Sequence, residues 1–365
     1  MDRPPPPRDQ GDREKVNTPP PKSTPATGKR QRYGMADVAA RAGTSVGTVS
    51  NVLNHPELVA EKTRRRVREA IDSLGFVRNA PAVNLRAGSS PAVGVVVLDI
   101  ANPFFTEVLR GAEDRLAAEG LLLIVCSSDD AVDKEGHYLR VLEEHRVHGI
   151  LITPAMADLT PLMELRDRGL GVVLLDRTEA DGKLCAVAVD DVRGGELAGQ
   201  HLLSLGHRRI AFLNGPSSLR QCAERRKGLH RAVILAGLDP AAVLVEITVP
   251  SLNARGGEAA IEEIDGDLPT AVICVNDLVA LGALRAFEQR GIAVPDQVSL
   301  VGYDDVDFAA MLSPPLTTIR QPKYQLGKAA AELFLTDSRQ DDKHWHQQTV
   351  FQPELIVRES TARFG

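Results

Sequence analysis

The chain has 365 residues, 43% of them apolar and 25% charged, which is enough for two or three folded domains, and it contains no apolar run long enough to span a bilayer. The net charge of −6 is unevenly placed: residues 29–90 carry 11 Lys/Arg against 5 Asp/Glu, so the rest of the chain is strongly acidic. A basic module on an acidic body points to a polyanionic partner for the module. The cysteines Cys126, Cys185, Cys222 and Cys274 form no C-x-x-C pair and have no histidine at ligand spacing. They are therefore expected to be buried apolar side chains, with no metal and no cofactor.

Residues 1–31 are polar and Pro-rich, without the apolar stretch of a secretory signal, and are expected to be disordered in a cytoplasmic protein. Residues 32–78 lack strand alternation and predict three short helices. In the first, Met35, Val38, Ala39 and Ala42 recur at helical spacing, and Gly43 suits the left-handed residue that stops a helix. The stretch Gly43-Thr44-Ser45-Val46-Gly47 matches G-x-S-x-G, the turn that carries a hydrolase nucleophile, but that turn needs a strand before the serine. A helix precedes it here, so Ser45 is expected to cap the second helix through its hydroxyl. Helix, Gly-containing turn, helix is a helix-turn-helix unit.

Residues 79–90 predict a hinge or linker. From about Pro91 onward, short β-branched runs alternate with amphipathic stretches: Val93–Leu98, Leu121–Cys126, Gly149–Thr153, Val172–Leu175, Ile210–Leu213, Ala271–Val275 and Val298–Val301. Continuous apolar strands between helices predict parallel sheets covered on both faces, and the length of this region predicts two α/β subdomains. No paired carboxylates, phosphate loop or dinucleotide fingerprint appears, so no enzyme is expected. His344-Trp345-His346 is expected to be an exposed loop.

Met35-Ala36-Asp37-Val38-Ala39, Ala42-Gly43, Ser45, Thr48-Val49-Ser50 and Val52-Leu53-Asn54 together resemble the DNA-binding headpiece of the lac/gal repressor family of bacterial regulators. The likeness continues through Lys62-Thr63-Arg64-Arg65-Arg66-Val67 and Leu74-Gly75-Phe76-Val77-Arg78-Asn79, and extends to the C-terminus. One departure is Ala60, where the family has a Ser or Thr helix cap. The resemblance implies an all-α helix-turn-helix domain followed by a periplasmic-binding-protein-like core of two parallel-sheet subdomains. These would be an N-subdomain of about 91–189 with 320–348 and a C-subdomain of about 190–319 with 349–365.

It further implies double-stranded operator DNA as partner, a homodimer, and the second helix in the major groove. Val46, Gly47 and Asn51 would face base edges, while Thr44, Thr48, Ser50 and Asn54 would position the helix beside the Ser45 cap. Asn79, Ala82 and Leu85 fall in the family's hinge helix, with Leu85 as a wedge in the minor groove. A small-molecule effector, by family habit a sugar or sugar derivative, would sit among Asn102, Phe104, Asp176, Arg177, Arg225, Asn276, Asp304 and Gln321. The helix from Phe104 to Ala118 would lie at the dimer interface, and the ending at Gly365 without a heptad-bearing helix favours a dimer over a tetramer. Asp277 and Asp305 have helix capping as their alternative role, and Phe105 has the core. A sugar-binding protein of a transport or sensing system would share the α/β body but have no use for residues 35–85.

Overall fold

The computed structural model describes residues 33–76, 90–179, 181–264, 268–337 and 345–365. The expected disordered extension (1–31) and hinge residues 79–89, with Asn79, Ala82 and Leu85, lie outside the described residues. The chain divides into two compact units, residues 1–80 and 81–365.

The first unit is a bundle of α1 (Met35–Ala42), α2 (Val46–Asn54) and α3 (Glu61–Leu74). Val38, Ala39, Ala42, Val49, Val52, Val67 and Ala70 close its small core. Gly43 ends α1 at φ 61°, a left-handed conformation that a glycine adopts without a Cβ penalty. Ser45 Oγ accepts from the Thr48 amide at 3.1 Å and meets Thr48 Oγ1 at 2.9 Å. Ser45 is thus a helix cap preceded by a helix, and the strand that a nucleophile turn requires is not there. Ala60 begins α3 with no side-chain cap.

The second unit holds two six-stranded sheets. The first runs β11-β5-β4-β3-β1-β2, built from β1 (Ala92–Val97), β2 (Leu122–Ser127), β3 (Gly149–Ile152), β4 (Gly171–Leu175), β5 (Cys185–Val189) and β11 (Gln348–Phe351), all parallel. The second runs β12-β10-β9-β8-β6-β7, from β6 (Ile210–Asn214), β7 (Leu244–Thr248), β8 (Ala271–Cys274), β9 (Ser299–Asp304), β10 (Thr317–Arg320) and β12 (Glu354–Ile356). Only the β10–β12 pair in that sheet is antiparallel. The central strands are buried end to end, as sheets covered on both faces require.

After β10 the chain crosses back to the first sheet. There α11 (Lys323–Asp337) lays Phe334 against Gly149 and Gly171, and β11 pairs with β5. The return to the second sheet falls between Phe351 and Glu354, a few residues later than the sequence suggests.

Close helix crossings hold each half together. α7 (Asp191–Ser204) and α8 (Arg220–Leu235) approach so tightly that a Cβ on Gly228 would lie 1.9 Å from the Val192 carbonyl oxygen. That contact is with backbone, which cannot swing aside. A Gly228→Ala variant is therefore expected to lose about 1–3 kcal/mol, read as a lower urea midpoint at unchanged slope. An unshifted midpoint would mean that the two helices can separate at no cost.

Asp277, the first residue of α10 (Asp277–Gln289), ties three segments together. Its Oδ2 accepts from the Val306 amide at 2.9 Å and its Oδ1 from Thr318 Oγ1 at 2.7 Å. Neither Asp277 nor Asp305 caps a helix: Asn276 caps α10, and the short helix Asp307–Met311 begins after Val306 with no side-chain cap. Burial works against ionisation of Asp305, but Arg358 and Arg320, at 2.6 and 2.7 Å, outweigh it and lower its pKa.

Candidate functional site

The first unit presents α2. Val49 and Val52 are buried, whereas Val46, Gly47 and Asn51 are exposed, Val46 by 45%. An apolar side chain so exposed on the first turn has nothing in its own unit to cover it. Asn54 Nδ2 donates to Ser50 Oγ at 3.2 Å, and Thr48 and Ser50 are half-exposed. Thr44 Oγ1 is buried with no hydrogen-bond partner among the described residues. Arg66 donates to the Gly43 carbonyl at 3.3 Å, supporting the turn.

In the second unit a cleft opens at the carboxyl ends of the strands, where open α/β sheets bind ligands. Leu98, Phe104, Phe105, Leu219, Leu252 and Val275 supply its apolar wall, and Asn102, Asp176, Gln221, Arg225, Asn276 and Asp304 its polar groups. Six of the eight residues expected from the sequence therefore meet there. Gln321 is buried just behind, its Nε2 donating to Asp304 Oδ1 at 2.7 Å.

Arg177 does not join them. Its guanidinium turns away and donates to the carbonyls of Met156 (2.6 Å) and Ala157 (2.7 Å), tying down the loop after β3. The reason is local: Asp176 is left-handed at φ 52°, so the chain reverses and sends the next side chain elsewhere. Phe105 is both buried and part of the wall, edge-on to Phe104 at 5.0 Å.

The strongest polar element is a buried triad. Arg225 Nε donates to Asp191 Oδ1 at 2.8 Å, Arg225 Nη1 to the Val275 carbonyl at 2.6 Å, and Tyr303 Oη to the same Asp191 oxygen at 2.8 Å. The guanidinium lies 3.7 Å from the centre of the Tyr303 ring. Burial works against the charge on Arg225, and Asp191, Tyr303, Asp304 and Asp176 outweigh it and raise its pKa. Sequence reasoning missed Asp191, Tyr303 and Gln221. The available signal was that Asp191 follows the end of β5 as Asp176 follows β4.

One side chain bridges the cleft: Gln221 of α8 donates to the Asp176 carbonyl oxygen at 3.1 Å and to its Oδ2 at 3.0 Å. Asn102 and Asn276 also cap helices, accepting from the amides of Phe104 at 3.0 Å and Val279 at 2.8 Å. Asp304 sits at φ 110°, a conformation that costs an L-residue about 1–3 kcal/mol and recurs at functional sites. Burial pushes its pKa up to about 6, against the pull of Arg225 and Gln321. Asp176 is also raised, by burial first and by Asp191 second.

Cys185 is buried, but a histidine distant in sequence lies beside it. His346, expected in an exposed loop, sets its Nδ1 3.7 Å from the Sγ of the buried Cys185, because β11 pairs with β5. Trp345 beside it is exposed, and His344 lies outside the described residues. No helix among the described residues is long and apolar enough to cross a membrane.

A model of bacterial regulatory proteins of the lacI family matches residues 34–79, and one of periplasmic binding protein-like domains matches 200–361. The chain is 37% identical over 337 residues to the HTH-type transcriptional repressor PurR of Photobacterium profundum, covering 89% of this chain and 97% of that one. It is 35% identical over 332 residues to a PurR repressor of Aliivibrio fischeri, with the same coverage of 89% and 97%. Among solved structures, the Lac repressor dimer bound to operator and the anti-inducer ONPF is similar with a TM-score of 0.78 at 27% identity, over 91% of this chain and 100% of that one. A LacI family regulator from Enterococcus faecium with bound ribose gives a TM-score of 0.69 at 32% identity, over 75% of this chain and 100% of that one. With its helix-turn-helix unit, its two-sheet core and a likeness that runs through nearly the whole length of those repressors, the chain belongs to the lacI family of bacterial regulatory proteins and is a DNA-binding transcriptional repressor with a small-molecule effector.

Proposed function

We propose that the chain acts as a homodimer on two-fold-symmetric operator DNA, and that a small sugar-like ligand in the cleft sets its operator affinity. The lobes that move are residues 91–189 with 321–351 and residues 190–320 with 352–365. The observation that carries the ligand reading is a buried acceptor in the cleft wall, Asp176 Oδ1, that finds no hydrogen-bond partner among the described residues. A buried acceptor left unpaired costs about 1–3 kcal/mol, which a ligand hydroxyl donating to it removes. Asp304 and Arg225 frame the same space, and the Phe104–Phe105 pair offers an apolar face to a ring.

The bound ribose of the Enterococcus faecium regulator supports a pentose-sized ligand here. Dimerisation is supported by the dimeric Lac repressor and by the edge strand β2, where Leu122, Ile124 and Val125 are exposed. Asn51, Val46 and Gly47 would read base edges; Thr44, Thr48, Ser50 and Asn54 would position the helix. A ligand that prefers one angle between the lobes changes DNA affinity, and DNA changes ligand affinity by the same factor.

Isothermal titration with a panel of pentoses, hexoses and purine bases, followed by selection from random duplex DNA with and without the binder, tests this. An enriched palindrome whose affinity shifts with one pentose supports it. Binding of a base and of no sugar overturns the sugar assignment. Failure to enrich any duplex, with or without ligand, overturns the repressor mechanism.

The protonation of Asp304 gives a second check. Its folded pKa, about 6, lies above the ordinary 3.8, so its contribution to ligand-free stability is complete below about pH 4 and is lost as pH rises through 6. A ligand that donates to the carboxylate needs the ionised form. Affinity is therefore expected to rise up to tenfold per pH unit below 6 and to level off above it. A flat profile from pH 5 to 8 would remove Asp304 from the contact set.

A further inference from the structure

Chemistry-bearing side chains also gather at the opposite end of the first sheet, where its strands begin. Cys185 opens β5, Asp337 closes α11, and His346 stands two residues before β11. The topology brings them together. β11 runs parallel to β5 with Gln348 beside Ala186, so the chain entering β11 passes the start of β5, and α11 packs across β3, β4 and β5 and ends there. One ligand atom from each of the three residues lies within 4.8 Å of the other two, and Cys185 Sγ is 3.7 Å from His346 Nδ1.

We propose that Cys185, Asp337 and His346 form a site for a divalent transition metal, with zinc the best match. A thiolate, an imidazole and a carboxylate make up zinc's donor set, whereas calcium and magnesium take oxygen ligands throughout. The distances agree. Zinc–sulfur of about 2.3 Å and zinc–nitrogen of about 2.0–2.1 Å at a tetrahedral angle place the two donors roughly 3.6 Å apart. That is within about 0.1 Å of the separation present. A hydrogen-bonded thiol–imidazole–carboxylate cluster would hold the same three groups together, and a cobalt spectrum separates it from a metal site. Cys185 is fully buried in the sheet while Asp337 and His346 are half-exposed, so a cation enters from the solvent side and the two outer ligands close on it. Three protein ligands leave the fourth position to water.

Bound metal would pin the end of α11 and the approach to β11 to the sheet. It would not compete with effector, because Asp176 and the other cleft residues follow the carboxyl ends of the strands.

Cobalt(II) titration of the untagged, reduced full chain tests the site. The expected result is one equivalent bound with a thiolate-to-cobalt charge-transfer band, displaced by zinc, and a zinc-dependent rise of several degrees in thermal midpoint. Cys185→Ser should abolish the band. His346→Gln and Asp337→Asn should each weaken cobalt binding at least tenfold, and Cys126→Ser should leave it unchanged. If Cys185→Ser fails to fold by circular dichroism, the two outer variants still decide. No thiolate band in the wild-type chain overturns the site, as does a band whose affinity is indifferent to His346→Gln and Asp337→Asn, or one lost in Cys126→Ser.

Discussion

An Arg225→Met variant is expected to lose about 3–5 kcal/mol of stability together with all measurable effector binding. The stability loss comes less from the missing ion pair than from what remains. Asp191 is 2% exposed, and it would lose its guanidinium partner and be left facing the Tyr303 hydroxyl in a dry setting. The Val275 carbonyl would lose its donor, and the Tyr303 ring would lose the guanidinium stacked upon it. Methionine fills much of the volume, so the cost is electrostatic rather than a cavity. Urea unfolding measures it as a fall in midpoint. Adding Asp191→Asn removes the orphaned charge and should restore most of the stability while leaving effector binding lost. A single variant within about 1 kcal/mol of wild type would mean that water reaches Asp191 and that the triad is not dry. A double variant that still binds effector would show that Arg225 supports the lobe without gripping the ligand.

The contrast between Arg225 and Arg177 shows what the sequence carries and what it does not. Both are arginines at positions where the family likeness expects ligand contacts. Arg225 lies within a regular helix, α8, whose register fixes the direction of its side chain, and it enters the cleft. Arg177 follows a left-handed aspartate, and its direction is set by a loop conformation that no spacing rule encodes. Asp191 went unread for a related reason: its role exists only because α7 and α8 cross at Gly195 and Gly228, a tertiary fact.

The helix-turn-helix unit was legible because each of its signals is local. Gly43 stops one helix, Ser45 starts the next, and the apolar positions repeat at helical spacing. The strands β1, β2, β3, β4, β6, β8 and β9 were legible as apolar runs, even though β2 is a half-exposed edge strand, and the short run of β5 was passed over because it lacks a helical stretch before it. β7, β11 and β12 lie at or beside sheet edges, are half polar, and carry no such run. The meeting of Cys185 with His346 was hidden because parallel pairing joins residues 161 positions apart.

An Asn51→Ala variant should leave the fold intact and remove most operator specificity. The side chain is exposed and makes no contact within the core of its unit, and alanine is the better helix former, so α2 should not suffer. If Asn51 bonds an adenine edge, its loss costs about 1–3 kcal/mol per half-site. A two-fold dimer reads two half-sites, so the total is about 2–6 kcal/mol, roughly thirtyfold to twenty-thousandfold in operator affinity. Binding to random duplex should stay unchanged, because phosphate contacts from the basic side chains supply it. The slope of affinity against salt concentration should also hold, since no cation is removed. Titration of selected and random duplexes at several salt concentrations separates the outcomes. Equal weakening on both duplexes would make Asn51 a backbone contact and shift base reading to Val46 and the groove geometry that Gly47 permits. No weakening on either would mean that α2 is not the helix that enters the groove.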